Sequence, residues 1–246
     1  MEFTSTELIA VSLIFIWSGF VRAGLGFGGA ALSLPLLFLV ANEPLFFVQI
    51  IAMHMLFFAV ITAGRKLKNV HWTFISSSLR WLIIPKIAGV IGLVILPAQW
   101  MVLIIYCITI FFAIQWILKK TFNSESAWAD RIMLAMGGYF SGVSLVGAPL
   151  IVAVAVRKIP APSYRDTLFV LWFILVMIKI LAFVAAGVDL QWQWAGLLLF
   201  PTAIGHIIGL RMHNYLIHQK PEKMRQVLGV GLLTICCLGV YQLYVS

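Results

Sequence analysis

The stretch GLGFGGAALSLP, residues 24–35, breaks a long apolar segment with glycines, and GVSLVGAP, residues 142–149, breaks a second one. The glycines recur at an interval of 118 positions: Gly24 and Gly29 in the first break, Gly142 and Gly147 in the second. A further pair recurs 116 positions later: Pro85 and Gly89, then Pro201 and Gly205. This spacing predicts that the chain is a duplication.

The composition is that of a membrane protein. Of its 246 residues, 63% are hydrophobic and 10% are charged, with a mean hydropathy of +1.06. A soluble domain is about a quarter charged, so we expect the bilayer to be the solvent for most of the chain. The net charge of +9 does not indicate nucleic-acid binding, since the cations lie mostly in short loops between apolar spans. The three cysteines lie within spans and show no metal-ligand or disulfide pattern, and we expect no metal or cofactor.

Hydropathy divides the chain into eight apolar segments. A single crossing needs roughly 20 residues, and the first and fifth segments are longer than that and contain the glycine breaks. The segments are approximately 8–40, 46–63, 72–96, 101–118, 130–156, 166–186, 193–210 and 226–244.

The charges of the loops alternate between the two halves. Every loop that is rich in Lys and Arg in one half corresponds to a neutral or acidic loop in the other. Positive loops face the cytoplasm, which places four segments inside: 64–71, 119–129, 157–165 and 211–225. Since two of these flank the fifth segment, that segment must either enter and return on one side or cross as two short helices. By repeat symmetry the first segment does the same from the outside.

The predicted fold is therefore an all-α polytopic membrane protein built from two inverted repeats. Each repeat comprises a glycine-broken helical hairpin and three transmembrane helices, with both chain termini outside. The repeats are residues 1–118 and 130–246, joined by a cytoplasmic connector at 119–129. The alternative is eight simple crossings and a parallel repeat, which would place one basic set of loops outside.

Glycine breaks inside a membrane have two interpretations. Backbone freed from a helix survives there only when it is buried in protein or lines a wet cavity, as in the midplane sites of secondary transporters. Broken ends also present helix N-termini that attract anions. The other interpretation is close helix packing through small residues. We favour the cavity for the two breaks and packing for Gly89, Gly92, Gly205 and Gly209.

Four cations lie inside the spans, away from the basic loops and their margins: Arg22, Arg80, Lys86 and Lys179. Asp and Glu lie only in loops or at span ends. A charge at the bilayer centre costs at least about 2.5–3.5 kcal/mol, so these cations require a counter-charge. An anionic substrate is the natural candidate. Lys86 and Lys179 lie deepest, about 20 Å into their helices, whereas Arg80 is shallow enough to reach the membrane surface.

The predicted substrate site combines the glycine breaks with the cations beside them. His206 follows Gly205 and either relays a proton or is a structural histidine. The predicted site residues are Arg22, Gly24, Gly26, Gly28, Gly29, Lys86, Gly142, Ser144, Gly147, Arg165, Lys179 and His206.

Three stretches resemble the TauE/SafE sulfite exporters, also called TSUP permeases. They are SGFVRAGLGFGGAALSLPLL at 18–37, GYFSGVSLVGAPLIVAVAV at 138–156 with YRDTL at 164–168, and PTAIGHIIG at 201–209. The sequence departs from the family pattern at Ala30, at Ala148–Pro149 and near Met53–His54. These departures bear on the substrate more than on the fold.

The resemblance implies a bacterial inner-membrane transporter of sulfite, thiosulfate, an organosulfonate or a related small anion. We expect export by alternating access, with protons as possible co-substrates, and no enzymatic activity. The alternatives are a permease for another small anion or a carboxylate, and a membrane enzyme or subunit. An intramembrane hydrolase would need a base for Ser33, Ser141 or Ser144, and the sequence shows no His/Asp pairing with them.

Overall fold

A computed structural model describes residues 3–25, 28–63, 67–119, 126–218 and 221–245. Within these ranges the chain is helical, apart from short connections and a 3-10 turn at Leu67–Asn69, and it contains no strand, which confirms the all-α prediction. The helices are α1 Ser5–Leu25, α2 Gly29–Val40, α3 Pro44–Ala63, α4 Trp72–Ile95, α5 Ala98–Ile117, α6 Ala127–Ser144, α7 Ala148–Lys158, α8 Ala161–Ala185, α9 Trp192–His218 and α10 Pro221–Val245.

Seven of these helices are long and apolar enough to cross a membrane: α1, α3, α4, α5, α8, α9 and α10. The chain is therefore a multi-pass membrane protein. Six of the seven correspond to the predicted single crossings, and the seventh is the first leg of the predicted N-terminal hairpin. The glycine breaks separate α1 from α2 and α6 from α7.

Helix ends differ from the predicted loops where polar residues continue a helix. The predicted loop 211–225 is largely helical, because α9 continues to His218 and α10 begins at Pro221. Likewise α8 begins at Ala161, inside the predicted loop 157–165, directly after the N-cap Pro160. Hydropathy marks where an apolar span ends, whereas the helix ends where its backbone hydrogen bonds stop, and proline is favourable at that first turn.

The helices form two compact units that interleave along the chain. Unit 1 contains Met1–Val48, Pro97–Lys120 and Trp192–Ser246, and unit 2 contains Gln49–Leu96 and Thr121–Gln191. Each unit thus combines a glycine-broken hairpin from one half of the sequence with helices from the other half: α1–α2 with α9 and α10, and α6–α7 with α4 and most of α3. The division into sequence repeats stays a prediction.

In unit 1 the first glycine-broken segment leaves and returns at the same end. The ring of Phe3, before α1, packs against Phe46 at a centroid distance of 5.8 Å and against Trp194 at 5.0 Å. Phe46 lies in the first turn of α3 and Trp194 in the first turn of α9. The starts of α1, α3 and α9 therefore lie together, so α2 brings the chain back to where α1 began.

The hairpin of unit 2 closes through an ion pair. Asp130 in the first turn of α6 lies 2.6 Å from Arg157 and 2.7 Å from Lys158, in the last turn of α7. Because the start of one leg contacts the end of the other, the fifth apolar segment enters and returns at one end of the unit, as its loop charges predict.

The same end of unit 2 also holds the starts of α4 and α8. Asn69 donates to Asp166 at 3.3 Å, and the His71 backbone N–H donates to Thr167 Oγ1 at 2.9 Å. His71 is the N-cap of α4, and its Nδ1 accepts from the Phe74 N–H. The starts of α4, α6 and α8 thus share one end of unit 2, as expected if the basic loops that precede them all face the cytoplasm.

Glycines bring two helix pairs into backbone contact, one pair in each unit. A Cβ at Gly89 of α4 would lie 3.0 Å from the Val143 nitrogen of α6 and closer still to the Tyr139 carbonyl oxygen. A Cβ at Gly205 of α9 would likewise collide with the Ile16 carbonyl oxygen and lie 2.9 Å from the Phe20 nitrogen of α1. The packing role is thereby confirmed for these two glycines, as it is for Gly209 against α1.

The prediction for Gly92 is wrong, since a Cβ there would meet nothing within 4 Å. Near-GxxxG spacing placed Gly92 beside Gly89 on the helix, yet only Gly89 lies where the axes of α4 and α6 come closest. A second, backbone-distant glycine adds flexibility without adding contact.

The crossing of α4 with α6 and the crossing of α1 with α9 have matching contacts, but the residues in contact are not the ones that the glycine motifs align. Gly89 and Gly205 are 116 positions apart, while their partner residues on α6 and α1 are 123 apart. At the crossing, the counterpart of Gly142 is therefore Gly19, not the Gly24 that the glycine motifs suggest. The difference of five positions is about one and a half helical turns.

Candidate functional site

At the second glycine break, the C-terminal carbonyls of α6 accept hydrogen bonds from side chains of other helices. Helix α6 ends at Ser144, and its C-cap Leu145 takes the left-handed conformation at φ 61°. The Ser144 hydroxyl accepts a hydrogen bond from the Val146 N–H at 3.3 Å and donates one to the Phe140 carbonyl oxygen at 2.9 Å. The last carbonyls of a helix have no hydrogen-bond donors within the helix. Here two lysines supply those donors.

Lys86 and Lys179 both donate to the end of α6. Lys86 Nζ lies 2.8 Å from Ser141 Oγ and 3.3 Å from the Ser141 carbonyl oxygen. Lys179 Nζ lies 2.6 Å from the Gly142 carbonyl oxygen and 3.5 Å from that of Val143. Both side chains are fully buried, Lys86 on α4 and Lys179 on α8. Three helices thus place two cations on consecutive carbonyls.

This arrangement gives the buried cations a partner that the sequence did not reveal. The C-terminus of a helix carries roughly half a negative charge, so the carbonyls of α6 stabilise the ammonium groups without any carboxylate. The two lysine amino groups, the Ser141 hydroxyl and the end of α6 thus form one buried polar cluster within unit 2.

Ser141 belongs to this cluster, although the predicted site omitted it. Its hydroxyl accepts from Lys86, so its own O–H remains able to donate to a bound oxyanion. The residue directly precedes Gly142 and is buried. Its position in the last turn before a glycine break was the available signal, but only the packing of α4 on α6 shows that Lys86 reaches it.

The first glycine break, in unit 1, is built differently. Gly28 has φ +85° and forms the N-cap of α2. The Ser33 hydroxyl donates to the Gly29 carbonyl oxygen, and it lies 3.2 Å from the Ser18 hydroxyl, so α2 is fastened along α1. Arg22 lies in the last turn of α1, and a Cβ added at Gly29 would lie 3.0 Å from the Arg22 Cβ.

His213 also contacts the end of α1 and was not among the predicted site residues. Its Nδ1 lies 2.7 Å from the Gly24 carbonyl oxygen. A carbonyl only accepts, so Nδ1 carries the proton of this hydrogen bond. In both hairpins, therefore, a nitrogen donor from a long helix contacts the C-terminus of the first leg: His213 of α9 in unit 1, and Lys86 and Lys179 in unit 2.

Other predicted residues take separate places. His206 is buried, and its backbone nitrogen lies beside Gly19 at the crossing of α1 and α9. Arg165 lies about 21 Å from Lys179 along α8, and its guanidinium lies over the Phe169 ring at 5.5 Å. Gly26 lies outside the described residues.

The predicted glycines of the second break are packing positions in this structure. A Cβ at Gly142 would lie 2.9 Å from the Gly89 Cα, and one at Gly147 would lie 2.8 Å from the Ser141 backbone nitrogen and collide with the Gly137 carbonyl oxygen. These glycines let the backbones approach so closely that the lysines reach the carbonyls. Close packing and a polar site are therefore combined at this break.

The cluster places two lysine side chains and a serine hydroxyl at one helix end. Among the described residues, no group of three or more His, Cys, Asp or Glu side chains could hold a metal ion. The chemistry that the cluster offers is electrostatic attraction and hydrogen-bond donation to a small anion. The donors come from three different helices, so a relative movement of these helices would change the site.

Comparison with known protein families gives a match over most of the chain. The family profile described as "Sulfite exporter TauE/SafE" matches residues 11–239. No curated protein and no solved structure matches the chain significantly.

Proposed function

Because the chain belongs to the sulfite exporter TauE/SafE family, we propose that it exports sulfite or a related small sulfur oxyanion across the bacterial inner membrane. The family consists of transporters and not of enzymes, which removes the membrane-enzyme alternative. Thiosulfate and organosulfonates are the related substrates that the proposal includes. Both termini would face outward, since the basic loops would face the cytoplasm.

The observation that carries this proposal is the pair of buried ammonium groups at the end of α6. Each ammonium has three N–H donors, and the described partners take two from Lys86 and two from Lys179. The third N–H of Lys86 and the Ser141 hydroxyl are then left for an oxyanion, whereas Lys179 Nζ also lies 5.6 Å from the Phe183 ring centroid. Two such donors suit an anion with several oxygens, such as sulfite or a sulfonate group.

The helix end also supports release of the anion. The α6 carbonyls stabilise both lysines when no anion is present, so an empty site does not leave bare charges in the membrane. Binding adds an anion to an existing set of hydrogen bonds, and release restores the resting set. A transport site needs this balance, because an anion that is held too tightly is not delivered.

We propose alternating access as the transport mechanism. Broken helices and duplicated halves are the usual plan of such transporters, in which one repeat rocks against the other. The matching helix crossings of the two units support the duplication. An inside-negative potential drives an anion outward by about 2.3 kcal/mol per charge per 100 mV, so export requires no coupling carboxylate. Protons carried with the substrate would change the net charge moved.

The test is transport by purified protein in liposomes, with sulfite, thiosulfate, an organosulfonate and a carboxylate as solutes. Lys86→Met and Lys179→Met remove one charge each and keep the length of the side chain. We expect each to reduce sulfite transport at least about tenfold, which corresponds to the loss of one charge-assisted hydrogen bond of 1.5–3 kcal/mol. Lys68→Gln, an exposed cation of the loop before α4, is the charge-matched control and should transport normally.

Two results would contradict the proposal. Wild-type protein that moves none of the sulfur anions under any gradient would exclude the substrate class. Lys86→Met and Lys179→Met variants that fold and transport as the wild type does would remove the cluster from the pathway. Faster carboxylate than sulfite transport would instead favour the alternative substrate. Arg165→Gln decides whether that predicted residue, which lies apart from the cluster, belongs to the pathway.

A further inference from the structure

A second cationic cluster lies on the outer surface of unit 2, near the start of α6. The guanidinium carbon of Arg131 lies 5.1 Å from the Trp81 ring centroid and 5.2 Å from that of Trp128. Both tryptophans are accessible, Trp81 at 39% and Trp128 at 66%. Arg80 is exposed and directly precedes Trp81 on α4. We call these four residues the Arg–Trp cluster.

The cluster lies where the outer face of α4 changes from polar to apolar. Toward the start of α4, the exposed residues of this face are polar: Thr73, Ser76, Ser77 and Arg80. Beyond Trp81 they are large and apolar: Ile84 at 76%, Ile91 at 50% and Ile95 at 74% exposure. Such a transition marks the boundary between headgroups and hydrocarbon, where indole rings are enriched.

Helix α6 has the same boundary at the same level. Trp128 and Arg131 lie in its first turns, and the next exposed positions are apolar, Ile132 and Met136. Helices α4 and α6 run in the same direction, since Leu82 lies beside Gly138 and Gly89 beside Val143. An apolar surface therefore continues along both helices from the cluster toward the interior of the membrane.

The contacts of Arg131 leave its hydrogen-bonding edge available. Cation–π contacts use the face of a guanidinium, whereas bidentate binding of phosphate uses the N–H groups of its edge. The neighbouring carboxylate, Asp130, is engaged by Arg157 and Lys158. Arg131 thus lies between two aromatic rings, which leaves its N–H groups as the donors for a further ligand.

We propose that the Arg–Trp cluster binds the headgroup phosphate of an anionic phospholipid. Arg131 and Arg80 contact the phosphate, the two indoles lie at the ester level, and the acyl chains run along the isoleucines of α4 and α6. The cluster lies at the basic end of unit 2, which positive-inside bias assigns to the cytoplasmic leaflet, where anionic lipids attract polybasic segments. This inference is independent of the proposed function.

The test is lipid binding by the full-length protein, measured by native mass spectrometry in detergent. The probes are phosphatidylglycerol and, with the same acyl chains, phosphatidylcholine. Near a membrane surface each arginine contributes about fivefold to anionic lipid binding, and two contribute about 30-fold. We therefore expect Arg80→Gln/Arg131→Gln to weaken phosphatidylglycerol binding about 30-fold and to leave phosphatidylcholine binding unchanged.

A matched control separates this site from general charge loss. Arg165 of α8 also lies over an aromatic ring, that of Phe169, so Arg165→Gln removes a stacked arginine outside the cluster and should keep lipid binding. Arg131→Lys keeps the charge but loses the planar fork, and we expect a loss of severalfold. If the double variant does not fold, the Arg131→Lys variant still tests the proposed site.

Three outcomes overturn the proposal. One is equal binding of phosphatidylglycerol by the double variant and the wild type. Another is an equal loss in Arg165→Gln. The third is displacement of the lipid by millimolar inorganic phosphate, which would show that the cluster binds a soluble anion and not a lipid.

Discussion

Gly89→Ala is the sharpest test of the way in which α4 and α6 meet. A Cβ at this position would lie 3.0 Å from the Val143 nitrogen and 3.1 Å from the Gly142 Cα, and closer to the Tyr139 carbonyl oxygen. All three neighbours are backbone atoms, so no side-chain rotation relieves the contact. The two helices must separate at the crossing that carries the lysine cluster.

The magnitude follows from two opposing terms. Overpacking against rigid neighbours costs up to about 3 kcal/mol, because the axes move apart and a gap of 0.5–1 Å forfeits a quarter to a half of the dispersion contact. Alanine is a better helix former than glycine by up to about 1 kcal/mol. We therefore expect a net loss of about 2 kcal/mol in the free energy of unfolding. This corresponds to a decrease in Tm of about 4–8 °C for a chain of this size.

Gly92→Ala is the matched control, three residues further along the same helix. A Cβ there meets nothing within 4 Å, so only the helix-propensity term remains and Tm should stay the same or rise by about 1–3 °C. Both variants are measured by thermal unfolding in the same detergent. Equal Tm values for the two variants, or a Gly89→Ala protein at least as stable as the wild type, would refute the close crossing.

Three further predictions use other contacts. Gly205→Ala should lower Tm by about 4–8 °C, whereas Gly196→Ala on the same helix, where a Cβ meets nothing within 4 Å, should not. Thermal unfolding in detergent measures both variants, and an equal decrease in Tm would contradict the close contact at Gly205. A double-mutant cycle of Asp130→Asn and Arg157→Gln should give a coupling of about 1 kcal/mol in unfolding free energy. The coupling is this small because Arg157 is partly exposed to solvent, and a coupling of zero would contradict the ion pair that closes the hairpin. His213→Phe removes the ring donor to the end of α1 and should cost about 1 kcal/mol, while His213→Asn keeps a donor at that position; identical Tm values for both variants would argue against the hydrogen bond.

The loop charges were sufficient to predict the two hairpins. Loops 64–71, 119–129 and 157–165 precede α4, α6 and α8, and the contacts of Asn69, Asp130 and His71 place the starts of these three helices at one end of unit 2. Charge distribution acts on whole segments as they insert, so it can be read from the sequence without knowledge of any contact. The sidedness of the membrane and the inverted relation of the repeats stay predictions.

The lysine cluster could be predicted only in part. Lys86 and Lys179 were identified because a cation inside a span without a carboxylate needs an explanation. The sequence suggested an anionic substrate as their counter-charge, which stays a prediction, and the structure adds the carbonyls of Ser141 and Gly142 as further partners. Every residue has a carbonyl, so backbone acceptors leave no mark on the sequence.

The class of this protein follows from its sequence alone: an all-helical, multi-pass chain with two glycine-broken segments and cations inside its spans. These properties depend on local composition and period, which each segment carries with it. Which glycine contacts which helix depends on the packing of the helices, as the opposite outcomes for Gly89 and Gly92 show. Only the tertiary structure shows that Lys86 and Lys179, 93 positions apart, meet at one helix end. Such contacts depend on the rotation and depth of whole helices, and no single segment encodes them.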